Sequence, residues 1–584
     1  MADFVSLVLS FPTIVEGVVK TCRSVQEYRN LQSNHTEAIK RASFGSRKLA
    51  YYVSFIDVDT AKSGIAAADF QQQYLLEEAV LHAYNAMLTT ARVVEDWTIR
   101  LQITTHSNSR IFMARMAQNI SEKLMLKYKL EPLSRFRRSK VGKFASEIAY
   151  LAMGCRQIND SMDVLEKWTG DVRDILLSFQ TLKNIRDPIS HTSITSMKEC
   201  LDDVLFVASC RQRLEEDLPA HRVDESEIDT YVDLDPARPT GFYMIEKGRY
   251  MGCVINRRDV NHLYRKETLV KKAVAETEYI ARLFAEERSG TAIIQTFAGS
   301  AMLSCCGWAK VSAEFYSNEH DLVLRPPSGT RQPRTLRMLL LEGEPRHSLD
   351  DRLRFAIQLS TSVLIVHSLG IVHKDIRPDS VLVFEPLMGD EGDLFPMKLG
   401  TPYLANFDRA RPDSADTTIT PFKYSHYMRV AYTHPVHTTT TEHIRYHMRD
   451  DVYSLGVVLI EVALWKSLFS WKERRECYDA DFSWFDFSID KYKRMFLEMG
   501  QPEYRNRGWL MRWDLIRLAE KEIPPVMGSK FKDVVVSCLM FGEKSKPTFN
   551  ESVMKITDTE YENKNESVAF VRDVLSRLRS LNFS

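Results

Sequence analysis

The sequence predicts an all-α helical bundle over residues 1–222 and an α+β domain over 239–584, joined by a linker at 223–238. Three observations carry this. The first 222 residues hold almost no period-two alternation of apolar and polar side chains and read as long helices. The stretch Leu218-Pro-Ala-His-Arg-Val-Asp-Glu-Ser-Glu-Ile-Asp-Thr is polar and acidic, the composition of a connecting segment. From about 239, short strand-like runs precede helical ones, the order of an α+β domain.

Within the helical part, Phe144, Ile148, Leu151, Cys155, Ile158, Met162 and Leu165 keep a three-four spacing, the narrow seam of a bundle helix. A second seam runs through Phe4, Val8, Phe11, Val15, Val18 and Cys22. Leu7, Leu9 and Val19 fall outside it, so residues 1–22 are apolar on more than one side and call for burial or insertion. Pro12 opens or kinks this helix. Further helical patterns cover roughly 70–103, 108–130 and 170–216.

Between 123 and 143 lies a basic cluster of Lys123, Lys127, Lys129, Arg135, Arg137, Arg138, Lys140 and Lys143, interrupted by Glu131. It reads either as a solvated turn or as a contact for anionic lipid headgroups, at about 1 kcal/mol per basic residue. The formal net charge of zero argues against nucleic acid as a partner. Nine cysteines occur without a C-x-x-C pair and read as free thiols of a reducing compartment. The N-terminus lacks the basic region and cleavage site of a signal peptide, and its uncharged run ends at Glu16, too short to span a bilayer. The expected location is cytoplasmic, peripheral to membrane on activation.

In the α+β part, strands are expected at Tyr250–Ile255 and Leu322–Arg325, with a helical run from about 264 to 287 between them. A short helix is expected at Thr335–Leu341. An amphipathic helix follows, with Leu349, Leu353, Ile357, Ser360, Leu364 and His367 on one face. Ser348 and Asp351 form its capping box and Gly370 its stop. Then come His373-Lys374-Asp375-Ile376-Arg377-Pro378-Asp379-Ser380 with an apolar strand after it, and Asp451-Val-Tyr-Ser-Leu-Gly-Val-Val-Leu-Ile-Glu461. Late helices are expected around Ile523–Cys538 and over Val568–Leu581.

The 373–380 stretch resembles the catalytic loop of protein kinases, H-R-D-x-K-P-x-N, and the 451–461 stretch resembles their buried F-helix. The resemblance implies a bilobal fold with an N-lobe at 239–325 and a C-lobe at 326–584. It implies ATP and Mg2+ as cofactors, Asp375 as the base for a substrate hydroxyl, and Arg377 as the residue touching the transferred phosphate. His373, Phe407 and Asp451 fall on structural positions of the kinase core, with Asp451 holding the catalytic-loop backbone.

Several working positions depart from the family. Ser380 stands in place of the metal-binding Asn, and no G-x-G-x-x-G exists, since Gly241, Gly248 and Gly252 are too widely spaced. The phosphate-pairing lysine is replaced by Asn256 or, one residue off, Arg257. Glu276 or Glu278 falls on the partner-Glu position and, with no lysine to hold, reads as a solvated charge. D-F-G becomes Asn406-Phe407-Asp408, so Asp408 serves as a metal ligand only after a backbone shift. Ser380 and Asn406 bind a hard dication less well than a carboxylate does. His434-Pro435-Val436 replaces A-P-E and loses its Glu. Removing one preorganised electrostatic group costs about 10²–10³ in rate, and three positions are altered. The expectation is a pseudokinase. Ser414, Thr417, Thr418, Thr420 and Ser425 are candidate phosphorylation sites that would pair with Arg409 or Arg411.

The opening Met-Ala-Asp-Phe-Val-Ser-Leu-Val-Leu and Arg135-Phe-Arg-Arg-Ser-Lys-Val-Gly-Lys-Phe144 resemble fungal HeLo and HeLo-like domains. Those are helical signalling and cell-death bundles that associate with membranes. Mixed-lineage kinase domain-like proteins share the layout of a bundle ahead of a pseudokinase. The combined expectation is a fungal intracellular signalling protein in programmed cell death, whose kinase-like domain regulates the bundle. Its partners are other signalling proteins or further copies of itself, with anionic membrane contact through 1–22 and 123–143. An active Ser/Thr kinase using ATP and a non-catalytic scaffold remain as alternatives.

Overall fold

The computed structural model describes positions within 41–93, 155–178, 207–259, 267–293, 302–311, 319–413, 431–481, 507–543 and 566–581. The expected apolar segment 1–22, the basic cluster 123–143 and the Ser/Thr loop 414–425 lie outside the described residues. The chain divides into two compact units, Met1–Ile185 and Arg186–Ser584.

In the first unit, helix α1 (Cys155–Ser178) buries Ile158, Met162 and Leu165 of the expected seam, and burial continues at Val172 and Ile175. The opposite face is polar. There Asp163 and Glu166 receive Arg41, whose Nε and Nη2 each donate to Glu166 at 2.7 Å while Nη2 also reaches Asp163 Oδ1 at 2.8 Å. His82 stacks on Trp168 with ring centroids 4.2 Å apart.

The second unit contains an antiparallel five-stranded sheet of β1 (Tyr231–Asp233), β2 (Phe242–Ile245), β3 (Val254–Asp259), β4 (Ser304–Val311) and β5 (Glu319–Arg325), in the order β1-β2-β3-β5-β4. Helix α2 (Glu267–Leu283) packs on β4 and β5. The expected strand at Tyr250–Ile255 is displaced: Tyr250–Gly252 form a turn, and the strand starts at Val254. The turn fits the positive φ of Gly248 and Gly252, which an apolar pattern alone does not reveal.

Of the segment expected to be a linker at 223–238, the described residues up to Asp235 are structured. It contains β1, and Val223 and Ile228 join Ile245, Tyr250, Ile255 and Val323 in a core on one face of the sheet. Backbone bonds fasten its start to β4, from Val223 N to Trp308 O (2.8 Å) and from Trp308 N to His221 O (3.0 Å). Gly307 permits this approach, because a Cβ there would stand 2.6 Å from His221 O. The polar composition that suggested a linker belongs to the exposed side of a docked strap.

Beyond the sheet come β6 (Arg334–Thr335), α3 (Leu336–Leu341) and α4 (Leu349–Ser368). Ser348 Oγ accepts from Asp351 N at 3.1 Å, and Gly370 takes φ +70 beyond the helix end. Helix α4 is not a one-faced amphipath. Phe355, Ala356, Val363 and Ile365 are buried along with Leu353 and Leu364, while Ile357 is partly exposed. The strands β7 (Ile371–Val372), β8 (Val381–Phe384), β9 (Thr401–Leu404) and β10 (Arg411–Pro412) follow, pairing as β9-β8-β6 and β10-β7.

Helix α5 (Met448–Leu464) is buried on nearly every side, and Gly456 lets it approach α7 (Pro524–Leu539): a Cβ there would lie 2.8 Å from Cys538 Cβ. Helix α6 (Arg507–Glu522) precedes α7, which kinks at Gly528 with φ +79. The late helix expected over Val568–Leu581 is observed as Glu566–Phe570, a π-helical turn Val571–Leu575, and Ser576–Arg579. Among the described residues, no helix is long and apolar enough to cross a membrane.

Candidate functional site

Asp375 lies on the loop between β7 and β8, whose backbone is held from below. Asp451, fully buried at the start of α5, accepts from His373 N (2.7 Å) and Lys374 N (2.9 Å), with His367 Nε2 2.9 Å away and Tyr446 OH donating at 3.2 Å. His373 Nε2 stands 2.9 Å from Ala405 O, and burial pushes this imidazole down from its ordinary value, favouring the neutral ring. Its ring packs against Phe407 at 5.1 Å, and Phe407 in turn meets Phe284, just past α2, at 5.0 Å. His373, Phe407 and Asp451 thus stand together as supports of one loop.

The reactive positions close on one another. Phe407 N donates to Asn256 Oδ1 (2.9 Å), Asn256 Nδ2 to Asn406 Oδ1 (3.3 Å), and Asn406 Nδ2 to Asp375 Oδ2 (3.1 Å) and Ser380 Oγ (3.3 Å). A backbone N–H can only donate, so it sets the orientation of the Asn256 amide and, through it, that of Asn406. Ser380 Oγ spends its own proton on Asp375 O at 2.5 Å. The other carboxylate oxygen of Asp375 accepts from Arg377 Nε at 3.1 Å, and Arg377 Nη1 stands 2.9 Å from Asp379. Burial alone would lower the Arg377 pKa, but Asp375 and Asp379 raise it and keep the guanidinium charged. Asn256, Asp375, Arg377, Ser380 and Asn406 are all buried.

One expected site residue faces elsewhere. Arg257 projects from the opposite face of β3, donates to both Asp321 oxygens at 2.9 Å and lies 4.7 Å over the Tyr243 ring. Alternation along a strand requires this once Asn256 faces the site. Asp408 is partly buried. Glu276 is not a solvated charge: it pairs with Arg258 at 2.7 Å, and Arg258 Nη2 also donates to Ala410 O at 3.3 Å. Arg258 is the residue that sequence reasoning missed. Its signal was the two-residue step from Asn256, which puts both on one face of β3.

A second buried network adjoins Asp379. Arg337 Nη1 donates to Glu461 Oε1 (2.7 Å) and Ser467 Oγ (2.6 Å), and its Nη2 to Tyr432 OH (2.7 Å), which donates to Glu461 Oε2 (2.8 Å). Arg337 and Arg377 depress the Asp379 carboxyl against the upward push of its burial. Late in the chain, Arg512 pairs with Glu543, both buried, so an ion pair among the late helices exists without the Glu of A-P-E.

The donor set does not fit ATP with magnesium. The Asn406 amide oxygen is taken by Asn256, its NH2 faces Asp375, and the Ser380 hydroxyl is already donor and acceptor. Within the amide network among the described residues the carboxylate is that of Asp375, and Arg377 lies against it. A hard dication prefers several oxygen ligands, carboxylates first. The arrangement holds two segments together through neutral amides.

Comparison with protein-family models and with curated proteins found no match to this chain.

Proposed function

We propose that the second unit is a protein-kinase-like domain without ATP-dependent phosphoryl transfer. It serves as the regulatory half of a signalling protein whose helical part is the effector. The observation that carries this is the amide chain from Asn256 through Asn406 to Asp375, which occupies with neutral groups the positions where a kinase holds lysine and metal. Asp375 keeps a structural role here, accepting from Asn406 and Arg377 at once.

In this reading the helical part is a HeLo-like bundle that self-associates or meets anionic membrane through residues 1–22 and 123–143. A trigger received by the kinase-like unit, such as a protein partner or phosphorylation at Ser414–Ser425, governs whether it does so. Nucleotide binding tests the regulatory half. Thermal unfolding of the full chain with ATP and Mg2+ is expected to be unshifted, whereas saturable stabilisation that needs the metal would refute the reading.

An active Ser/Thr kinase is favoured by one observation, the ordering of the Asp375 loop by Asp451, which a catalytic loop also needs. It requires the amide chain to break before a metal enters. The helical half has its own test. Deleting residues 1–22 is expected to abolish leakage of anionic vesicles and self-association, and full activity without them would remove that part.

A further inference from the structure

Arg352 lies in the first turn of α4 and is 7% exposed, and among the described residues no carboxylate is within ion-pair distance of it. A buried arginine is ordinarily paired, and the start of a helix disfavours a cation. Its Nη1 donates to Ala463 O at 2.7 Å and its Nε to His347 Nε2 at 3.2 Å, both neutral acceptors. Burial pushes the guanidinium down, and no neighbouring acid offsets the push. The charge lies among rings instead. Trp465 has its ring centre 5.7 Å from the guanidinium carbon, His347 meets Trp465 at 4.2 Å, and Phe395 stands 6.0 Å from each.

The same cluster holds two donors with nothing to donate to. Arg352 Nε can only donate, so His347 Nε2 accepts and the proton of the neutral ring sits on Nδ1. Burial and Arg352 push that imidazole down to about 4, which keeps it neutral. His347 Nδ1 and Trp465 Nε1 are both buried without a hydrogen-bond partner. The Pro396 carbonyl faces the imidazole outside hydrogen-bond geometry and accepts from Arg346 N at 3.1 Å. The nearby acids serve other cations: Asp351 pairs with Arg354, and Glu342 and Glu385 pair with Arg334, which lies over Phe395. Trp465 itself takes a left-handed φ of +49 at the end of α5, a conformation that a bulky side chain rarely adopts.

We propose that this cluster between the start of α4 and the end of α5 is a carboxylate-binding site, with Arg352 as counter-charge and Trp465 Nε1 and His347 Nδ1 as donors to the carboxylate oxygens. The guanidinium fork suits a planar carboxylate. A single cation matches a monoanion and leaves a phosphate dianion half compensated. The three rings suit an apolar body next to the charge. Entry is from the side of the 393–398 turn, where Phe395 is partly exposed and Met397 and Lys398 are exposed. The site uses none of the residues of the amide network, so it stands whether or not the unit transfers phosphate.

The test is an NMR titration of the full chain labelled with nitrogen-15 at its 8 tryptophans, read at the indole N–H signals. Trp465→Phe assigns the signal at issue. Sodium benzoate is expected to shift it downfield and saturably, with half-saturation on the order of 1 mM. Benzamide, the neutral isostere, and inorganic phosphate should each be weaker by about tenfold. Arg352→Met should abolish the benzoate shift. Should that variant not fold, the contrast between benzoate and benzamide on the parent chain decides the same point. An end-blocked peptide with one glutamate separates the sources: saturation below the benzoate concentration means a carboxylate presented by protein, and weaker binding means a free organic acid. The proposal is overturned if neither benzoate nor the peptide shifts the Trp465 signal saturably, water then being what meets the two donors. A shift that benzamide or phosphate reproduces at the same concentration overturns it as well.

Discussion

Asn256 Nδ2 lies 3.3 Å from Asn406 Oδ1, joining the sheet to the Asp375 loop through two neutral side chains 150 residues apart in sequence. Each amide also has a second obligation, Asn256 to the Phe407 N–H and Asn406 to the Asp375 carboxylate. A lysine and an aspartate in these places would attract each other as charges and hold a metal phosphate between them. Two amides reach the same closure without either charge.

Breaking this closure should be costly. Asn256→Leu keeps the volume but leaves the Phe407 N–H and the Asn406 amide oxygen unpaired in a buried site. Each orphaned group costs about 1–3 kcal/mol. Chemical denaturation should show a lower midpoint for the second unit, and hydrogen exchange should show lost protection at the Phe407 amide. An unchanged midpoint would mean that water or another group replaces Asn256.

Asn406→Asp is expected to act in the opposite chemical sense. It puts a second carboxylate about 3.1 Å from Asp375 Oδ2, where like charges disfavour joint ionisation. The variant should be less stable at neutral pH than the parent and should recover stability in Mg2+ or Mn2+, which the parent should not. Thermal unfolding with and without the cation reads both effects.

Acid should weaken the second unit before its carboxylates protonate. Burial, with Arg258 and Lys310 beside it, pushes His320 down to about 4, and burial with Arg352 does the same to His347. The unfolded chain takes up these protons near 6.5 while the folded chain resists until about 4. Stability is therefore complete above 6.5, falls as pH drops toward 4, and loses on the order of 3 kcal/mol per histidine. Both His320 ring nitrogens lack a hydrogen-bond partner, and Trp308 packs edge-on at 5.8 Å, so His320→Phe should be tolerated. The slope of stability against pH between 6.5 and 4 should be shallower in that variant. An equal slope would assign the acid sensitivity elsewhere.

The strap ahead of β1 gives a separate check on the fold. Gly307→Val would drive a side chain into His221 O and Val223 Cγ2, at 2.6 and 2.8 Å from the Cβ position. The strap should lift, the Val223 amide should exchange faster, and Cys253, Ile255 and Val323 should lose cover from Val223 and Ile228. Unchanged exchange at Val223 would contradict the docking of this segment.

What the sequence disclosed, and what it hid, follows from how local each signal is. Asp375, Arg377 and Ser380 share a contiguous loop, and Asp451 leads a helix of unbroken apolar character, so their order was readable. Asn256 was located only to within one residue, because choosing between it and Arg257 needs the facing of β3. That facing emerges only when Asn256 pairs with Phe242 and Leu322 across the sheet. The role of Glu276 went unseen for the same reason, since its partner Arg258 lies two residues along that strand. β1 was missed because three residues in an acidic segment carry no periodicity. Arg337 and Glu461 are 124 residues apart, and no local pattern announces such a pair.

The most direct test of the closed site is phosphate transfer from γ-labelled ATP, with Mg2+ or Mn2+, to the chain itself and to a general protein substrate. The parent and Asp375→Asn should be equally unlabelled. Label on the parent that disappears in Asp375→Asn would contradict the account, because the amide chain would then have to open and Asp375 would have to act as a base rather than as the end of a hydrogen-bonded closure.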